Sequence, residues 1–310
     1  MLGLVSRLSA SPWLISLEHA QSYMPLLAGL LLGNAPVHAG QNLAELRAAA
    51  APIDYEVSAR RNLVNYAARP AAGSGTGPTG DAVLVRVMGM SGPLMKADQE
   101  CGPRGLMSLA ADLQRAAKDT EISAVLMRID SPGGQVFGTQ SVVDGVKACQ
   151  AAGKPVVALC EDGLMCSAAY WIGSAADTII ATHETCTIGS IGVMASWADA
   201  QPYFEKLGVK FHEVYAEQSS QKNADFAAAG KGDYKAVQAN LTAIAGGFLG
   251  SVRSNRGDRL NAKLFEKSGA SAGKTFFAGQ AGDIGLLDAL GSFQDALGEC
   301  VRLVQAQRTV

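Results

Sequence analysis

The sequence predicts an α/β protein built on a buried, largely parallel sheet. Three observations carry this. Apolar runs of about six residues alternate with helix-period segments between residues 82 and 181. Two of these runs end in small-residue turns, the places where an open α/β sheet gathers its ligands. The chain has 310 residues, 48% hydrophobic and 17% charged, which is enough to bury a large core.

Residues 1–70 read as a helical N-terminal region. Leu17, Tyr23, Leu26, Leu27, Leu30 and Leu31 recur at helical spacing, and Leu43 to Arg47 and Arg60 to Ala68 extend the pattern. Met24 to Gly33 is apolar and precedes Ala35-Pro36-Val37-His38-Ala39, the outline of an export signal with its cleavage site. Glu18 and His19 upstream favour a soluble amphipathic helix instead, and the run falls short of the roughly 20 residues a membrane span needs. Residues 71–81 read as a flexible linker. The glycines there precede a strand where a phosphate loop would follow one.

Ala82 to Val87 then reads as a strand, Leu106 to Ala117 as a helix, Ala124 to Ile129 as a strand and Thr139 to Ala151 as a helix. Pro155 to Cys160 is the next strand, Ser167 to Ala176 a small-residue helix and Thr178 to Ala181 a short strand. Such alternation implies βαβ units with right-handed crossovers. Gly208 to Tyr215 is a further strand candidate, followed by a polar loop from Ala216 to Asp225. Val237, Leu241, Ile244, Phe248 and Val252 keep a 3.6-residue period, so a long helix starts near Asp233 and ends before Gly257. Residues 263–297 read as a small α/β tail. The domain is expected to span 82–298, with 299–310 as a C-terminal tail.

Several function classes find no support. A net charge of −2 leaves no electrostatic footprint for nucleic acid, and no polybasic run suggests a membrane surface. Cys101, Cys149, Cys160, Cys166, Cys186 and Cys300 contain no CxxC pair, so buried reduced thiols are expected instead of zinc or redox chemistry. Gly273-Lys274-Thr275 ends like a P-loop, but Ser268 stands where the earlier glycine belongs. No metal and no organic cofactor is implied.

Ser167 is the principal chemical candidate. It follows a strand and opens a helix, where free backbone N–H groups stabilise developing negative charge. The turn Ser131-Pro132-Gly133-Gly134 ends the preceding strand and suggests an oxyanion-binding loop, with Ser131 itself a turn residue. A serine nucleophile needs a base. His183 reads as a solvated turn residue and His212 as a strand-face residue. Lys222 is the alternative base, though by spacing alone it reads as a loop lysine; a lysine serves only where burial or a neighbouring cation lowers its pKa. Cys166, beside Ser167, is a weaker rival nucleophile, and Asp130 and Asp177 suit strand-end roles.

Ser131-Pro132-Gly133-Gly134, Lys154-Pro155-Val156-Val157-Ala158, Cys166-Ser167-Ala168-Ala169 and Gly189-Ser190-Ile191-Gly192-Val193 together resemble the signal peptide peptidase A family (S49) of serine proteases, relatives of the Clp protease/crotonase fold. Phe277-Ala278-Gly279-Gln280-Ala281 through Ile284-Gly285-Leu286-Leu287-Asp288 is similar to that family's closing pattern, so the likeness covers roughly residues 82–298. Within the family, lambda-type phage head-maturation proteases are the nearer likeness. Ser11-Pro12-Trp13-Leu14 through Leu27-Ala28-Gly29-Leu30 and Met165-Cys166-Ser167-Ala168 carry it. The resemblance implies a Clp/crotonase-like fold with Ser167 as nucleophile, Lys222 as general base and Ser190 orienting the lysine. It assigns the oxyanion hole to the N–H groups of Gly133 or Gly134 and of Ala168. Ala168-Ala169 departs from the glycines many members carry after the nucleophile, and Ser220-Gln221-Lys222-Asn223 departs from the commoner lysine loop.

The function so implied is a Ser-Lys endopeptidase that trims capsid, scaffold or portal proteins during phage or prophage head assembly. It would work as a homo-oligomer in the host cytoplasm or the prohead, without a membrane span. A membrane-associated signal peptide peptidase and a non-catalytic capsid assembly component are the alternatives.

Overall fold

The computed structural model describes residues 13–15, 51–60, 63–68, 82–99, 103–197, 199 and 201–308. In chain order the strands are β1 (Trp13–Ile15), β2 (Ile53–Arg60), β3 (Leu63–Ala68), β4 (Val83–Ser91), β5 (Ala124–Ser131), β6 (Gly133–Gln135), β7 (Val156–Cys166), β8 (Thr178–Ala181), β9 (Thr187–Gly189), β10 (Thr275–Phe277) and β11 (Ala289–Leu290). The helices are α1 (Leu106–Lys118), α2 (Thr139–Ala151), α3 (Ala168–Ser174), α4 (Gln201–Lys206), α5 (Ala224–Ala229), α6 (Lys235–Arg256), α7 (Ala262–Lys267), α8 (Ala278–Ile284) and α9 (Phe293–Arg308).

The main sheet runs β10-β9-β7-β5-β4-β2-β3, with β8 and β11 branching from β7. Strands β4, β5 and β7 pair in parallel, as the βαβ reading expects. Alternate residues of these strands serve two cores. Val125, Met127, Ile129, Val156, Ala158 and Cys160 face α1, α2 and α3. Ala124, Leu126, Val157 and Leu159 face the opposite side, where Leu297, Cys300, Val301 and Val304 of α9 cover them. Burial on both faces is why the strands read as unbroken apolar runs.

Strand β7 decides where the site lies. It was expected to end at Cys160 but continues to Cys166. Its first half pairs with β8 and its last three residues pair with β9, so the sheet forks along one strand. The fork sits at Glu161, Asp162 and Gly163, where the register against β5 jumps: Ile129 faces Cys160, but Ser131 faces Met165. Asp130 bridges the irregularity by accepting the Leu164 N–H at 3.0 Å. Asp177 fixes the start of the same strand by accepting the Val156 N–H at 2.7 Å. Both aspartates therefore have strand-end roles.

Other expectations are corrected. The helix expected from Arg60 to Ala68 is instead part of an antiparallel hairpin, β2 with β3, added to the edge of β4. Ile53-Asp54-Tyr55-Glu56-Val57 alternates with period two, and Tyr55, Tyr66 and Phe293 meet edge to face where the hairpin touches α9. Trp13–Ile15 is likewise a strand within the region expected to be helical. The Met24 to Gly33 segment, the linker 71–81 and Cys101 lie outside the described residues. Gly208 to Tyr215 forms no strand, because its alternating residues have no sheet edge to join; Phe211 and Val214 are exposed. Residues 299–308 are the second half of α9 instead of a tail, since Cys300, Val301 and Val304 seal the second core.

One buried ion pair ties the C-terminal elements to the sheet. The Arg256 side chain is fully buried at the end of α6. It donates to Asp288 at 2.7 and 2.9 Å and to the Gly285 carbonyl at 2.8 Å. Asp288 in turn accepts the Ile179 N–H of β8 at 2.7 Å. Removing one member strands the other, so Asp288→Ala should cost about 3–5 kcal/mol, measured by chemical denaturation against the parent chain.

Candidate active site

Ser167 stands between the last residue of β7 and the first residue of α3. Its backbone takes φ 54° and ψ −120°, a conformation L-residues rarely adopt. Such strain costs on the order of 1–3 kcal/mol and persists only where the surroundings impose it. Here they do. The Ser167 N–H donates to the Gly189 carbonyl at 2.8 Å, and its own carbonyl accepts the Trp171 N–H at 2.9 Å. Trp171 stacks on Phe248 of α6 at 4.6 Å, and its indole donates to Ser251 at 2.9 Å. The Tyr170 hydroxyl, fully buried, donates to the Leu286 carbonyl at 3.1 Å. A serine held at a sharp strand-to-helix turn, followed by an N–H with no partner among the described residues, is the arrangement of a nucleophile elbow.

Gly189 completes the turn. Its φ is +118°, and a Cβ there would sit 2.8 Å from the Lys274 carbonyl oxygen. The glycine lets β10 close on β9 while its carbonyl holds Ser167. Ser190 follows directly, half-buried, at φ 53°, its N–H donating to Lys274 O at 3.0 Å. The Gly273-Lys274-Thr275 segment thus leads into β10 and pins Ser190.

Ala168 is buried at the start of α3, where a helix's first N–H groups lack intrahelical acceptors. Gly133 and Gly134 form part of β6, which packs against α3. The Gly133 N–H donates to Ser131 Oγ at 3.1 Å, and that hydroxyl donates to the Gly92 carbonyl at 2.7 Å. Ser131 is therefore a turn residue, and the Gly133 N–H is already engaged. The structure brings Ser167, Ala168, Gly133, Gly134 and Ser190 onto adjoining elements.

Lys222 is bonded to none of them among the described residues. It lies in the turn before α5, exposed, its own N–H bonded to the Ser219 carbonyl at 2.9 Å. The next residue, Asn223, holds φ 62°. Among the described residues no hydrogen bond joins the Lys222 amine to Ser167. A different lysine has a lowered pKa: Lys154, whose burial disfavours its charge. Its amine donates to the Ala116 carbonyl at 2.7 Å and to the Asp119 carbonyl, closing the end of α1. It precedes β7, whereas Ser167 follows that strand, so it is not placed to serve the serine.

The rival groups are set aside by their surroundings. Burial pushes the Cys166 thiol up to about 12, and its sulfur points to the Thr187 carbonyl. His183 is exposed, 3.9 Å from Asp162. His212 lies in the exposed coil and not on a strand face. A cleft lined by Asp177, Arg259, Asp288, Glu299 and Arg302 contains none of the candidate residues.

Comparison with known proteins adds an independent finding. The model of peptidase family S49 matches residues 148–307. "Protease 4" of Haemophilus influenzae is 27% identical over 72% of this chain and 35% of its own length. "Capsid assembly protease C" of Escherichia phage lambda is 28% identical over 69% of this chain and 48% of its own length. This chain thus spans about a third to a half of the length of these relatives. Among solved structures, a serine-to-alanine mutant of the 1510-N membrane-bound stomatin-specific protease has a TM-score of 0.43 and 13% identity, over 69% of this chain and 82% of that one.

The buried thiols make a pH prediction. Cys149 is raised by burial to about 11 and Cys166 to about 12, against an ordinary value of 9.0. Above pH 9 the unfolded chain releases these protons while the folded chain keeps them, so stability falls as pH rises. Denaturation midpoints should be lower at pH 10 than at pH 8. Replacing both cysteines by alanine should shrink that difference, measured relative to each protein's own midpoint at pH 8.

Proposed function

The chain belongs to peptidase family S49, and we propose that it is a serine endopeptidase of Clp/crotonase type, with Ser167 as nucleophile and Lys222 as general base. The observation that carries this reading is the strained backbone of Ser167, held at a strand-to-helix junction by the Gly189 carbonyl. Strain of this kind concentrates at functional sites. Ser190, the proposed positioning group, and Asn223, which follows the proposed base, also hold positive φ.

The chemistry follows from these groups. Ser167 Oγ attacks the peptide carbonyl carbon and its proton passes to the neutral Lys222 amine. The carbonyl oxygen, now an anion, is met by the N–H groups of Ala168 and of Gly134, since the Gly133 N–H is held by Ser131. Collapse breaks the C–N bond, and the lysine proton goes to the leaving amine. Water then attacks the acyl-enzyme through the same lysine and releases the acid.

Lys222 must be brought to Ser167 for this to run. It lies on a segment that carries Tyr203, Phe204, Leu207, Phe211, Val214, Tyr215 and Phe226 exposed. Exposed apolar side chains in such number call for a partner surface. We take that surface to be a second copy of the chain, whose docking would cover the segment, dry the lysine and seat it. The catalytic unit in this reading begins at residue 82 and runs through α9.

The likeness to a capsid assembly protease supports capsid, scaffold or portal proteins as substrates, cut in the host cell or in the prohead. Among the described residues no helix is long and apolar enough to cross a membrane. The test is co-expression with the neighbouring capsid proteins. Ser167→Ala and Lys222→Ala should each lower processing by at least about 10³-fold, followed by gel shift of the substrates. Unchanged processing by Ser167→Ala would overturn the proposal.

A further inference from the structure

Strand β6 carries Gly134, the proposed oxyanion glycine, and has one neighbour that the protease reading leaves unexplained. Along one side Leu94 approaches: its N–H donates to Gly133 O at 2.8 Å, and its carbonyl accepts the Gln135 N–H at 2.8 Å. The approach is close enough that a Cβ on Gly134 would lie 2.0 Å from the Leu94 oxygen. Along the other side runs β1, antiparallel, with Trp13 opposite Gln135, Leu14 opposite Gly134 and Ile15 opposite Gly133. The two strands form a sheet of their own, separate from the main one.

We propose that β1 occupies the position of an extended peptide substrate, so that the chain masks its own active site until this strand is displaced. The proposal rests on the protease reading only for the location of the site. An extended peptide adds to a strand edge through main-chain hydrogen bonds. The Gly133-Gly134 edge offers no side chains to hinder it. β6 packs against α3, which Ser167 opens, so a peptide crossing Ser167 as a strand on β6 would take the place that β1 holds. Leu94 already takes the other edge, so β1 and a substrate compete for one row of hydrogen bonds. An internal occupant lowers the apparent affinity for a free peptide by the fraction of time the edge is open.

The test uses the full chain in a Ser167→Ala background, so that binding is read without cleavage. Leu14→Pro removes an N–H and fixes φ, which opposes strand pairing. The probe is a fluorescent peptide carrying residues 9–18 of this chain. The expected result is binding at least about tenfold tighter to the Leu14→Pro protein than to its parent, the gain expected when the edge is open a tenth of the time or less. Hydrogen exchange at Gly134 should speed up in that variant and slow again when peptide is added, while Gln135, whose N–H is held by the Leu94 carbonyl, should not change. Equal affinity and equal exchange in the two proteins would overturn the proposal. Should Leu14→Pro fail to fold, replacing Trp13, Leu14 and Ile15 together by glycine gives the same readout. Equal binding would leave the protease reading standing, and failure of Ser167→Ala to stop processing would leave the binding result intact.

Discussion

The hydrogen bond from the Ser167 N–H to the Gly189 carbonyl is the constraint on which the site depends. It joins the end of β7 to the end of β9 and forces the chain into a turn at a residue with a Cβ. Around that turn the protein spends burial freely. Tyr170 and Trp171 are sunk into the core, Phe248 stacks on the indole, and α6 is anchored at its far end by Arg256 on Asp288. A strained serine can persist because each neighbouring element is fixed by something larger than the strain.

The forked sheet explains how three separated pieces of sequence meet there. β7 follows β8 for half its length and β9 for its last three residues. The change of partner brings Gly189 and Ser190 alongside Cys166 and Ser167. β6, on the other flank, leaves the main sheet after Ser131 and packs against α3. The candidate residues therefore come from the ends of β7 and β9 and from a small sheet beside them, while the long cores beneath supply rigidity.

Charge is handled by two different means in this fold. Arg256 keeps its charge in the core by facing a carboxylate and a carbonyl. Lys154 is held by helix-end carbonyls and loses part of its preference for a proton to burial. Lys222, in contrast, stands in solvent with nothing in its own chain bonded to its amine among the described residues. A lysine base needs what Lys154 has, namely removal of water, and the exposed aromatic segment around Lys222 is the part of the surface on which a second chain could provide it.

Much of this was legible in the sequence because it rests on local pattern. Unbroken apolar runs foretold strands buried on both faces, and the helix over Thr139–Ala151 follows from its own periodicity. The small-residue turns at Ser131–Gly134 and Cys166–Ser167 marked the ends where ligands gather, and the family motifs named Ser167. The hairpin over Ile53–Ala68 is not legible locally, because its alternation is short and its β-character depends on pairing with β4. The continuation of β7 past Cys160 is not legible locally, because Asp130, which accepts the Leu164 N–H, lies on another strand. The sequence by itself determined which segments must be buried and which residue types could do chemistry. Tertiary structure alone decided which of them meet: the backbone of Ser167, the engagement of Gly133 and the strand lying on β6 all depend on contacts between segments remote in the chain, and no local spacing encodes those.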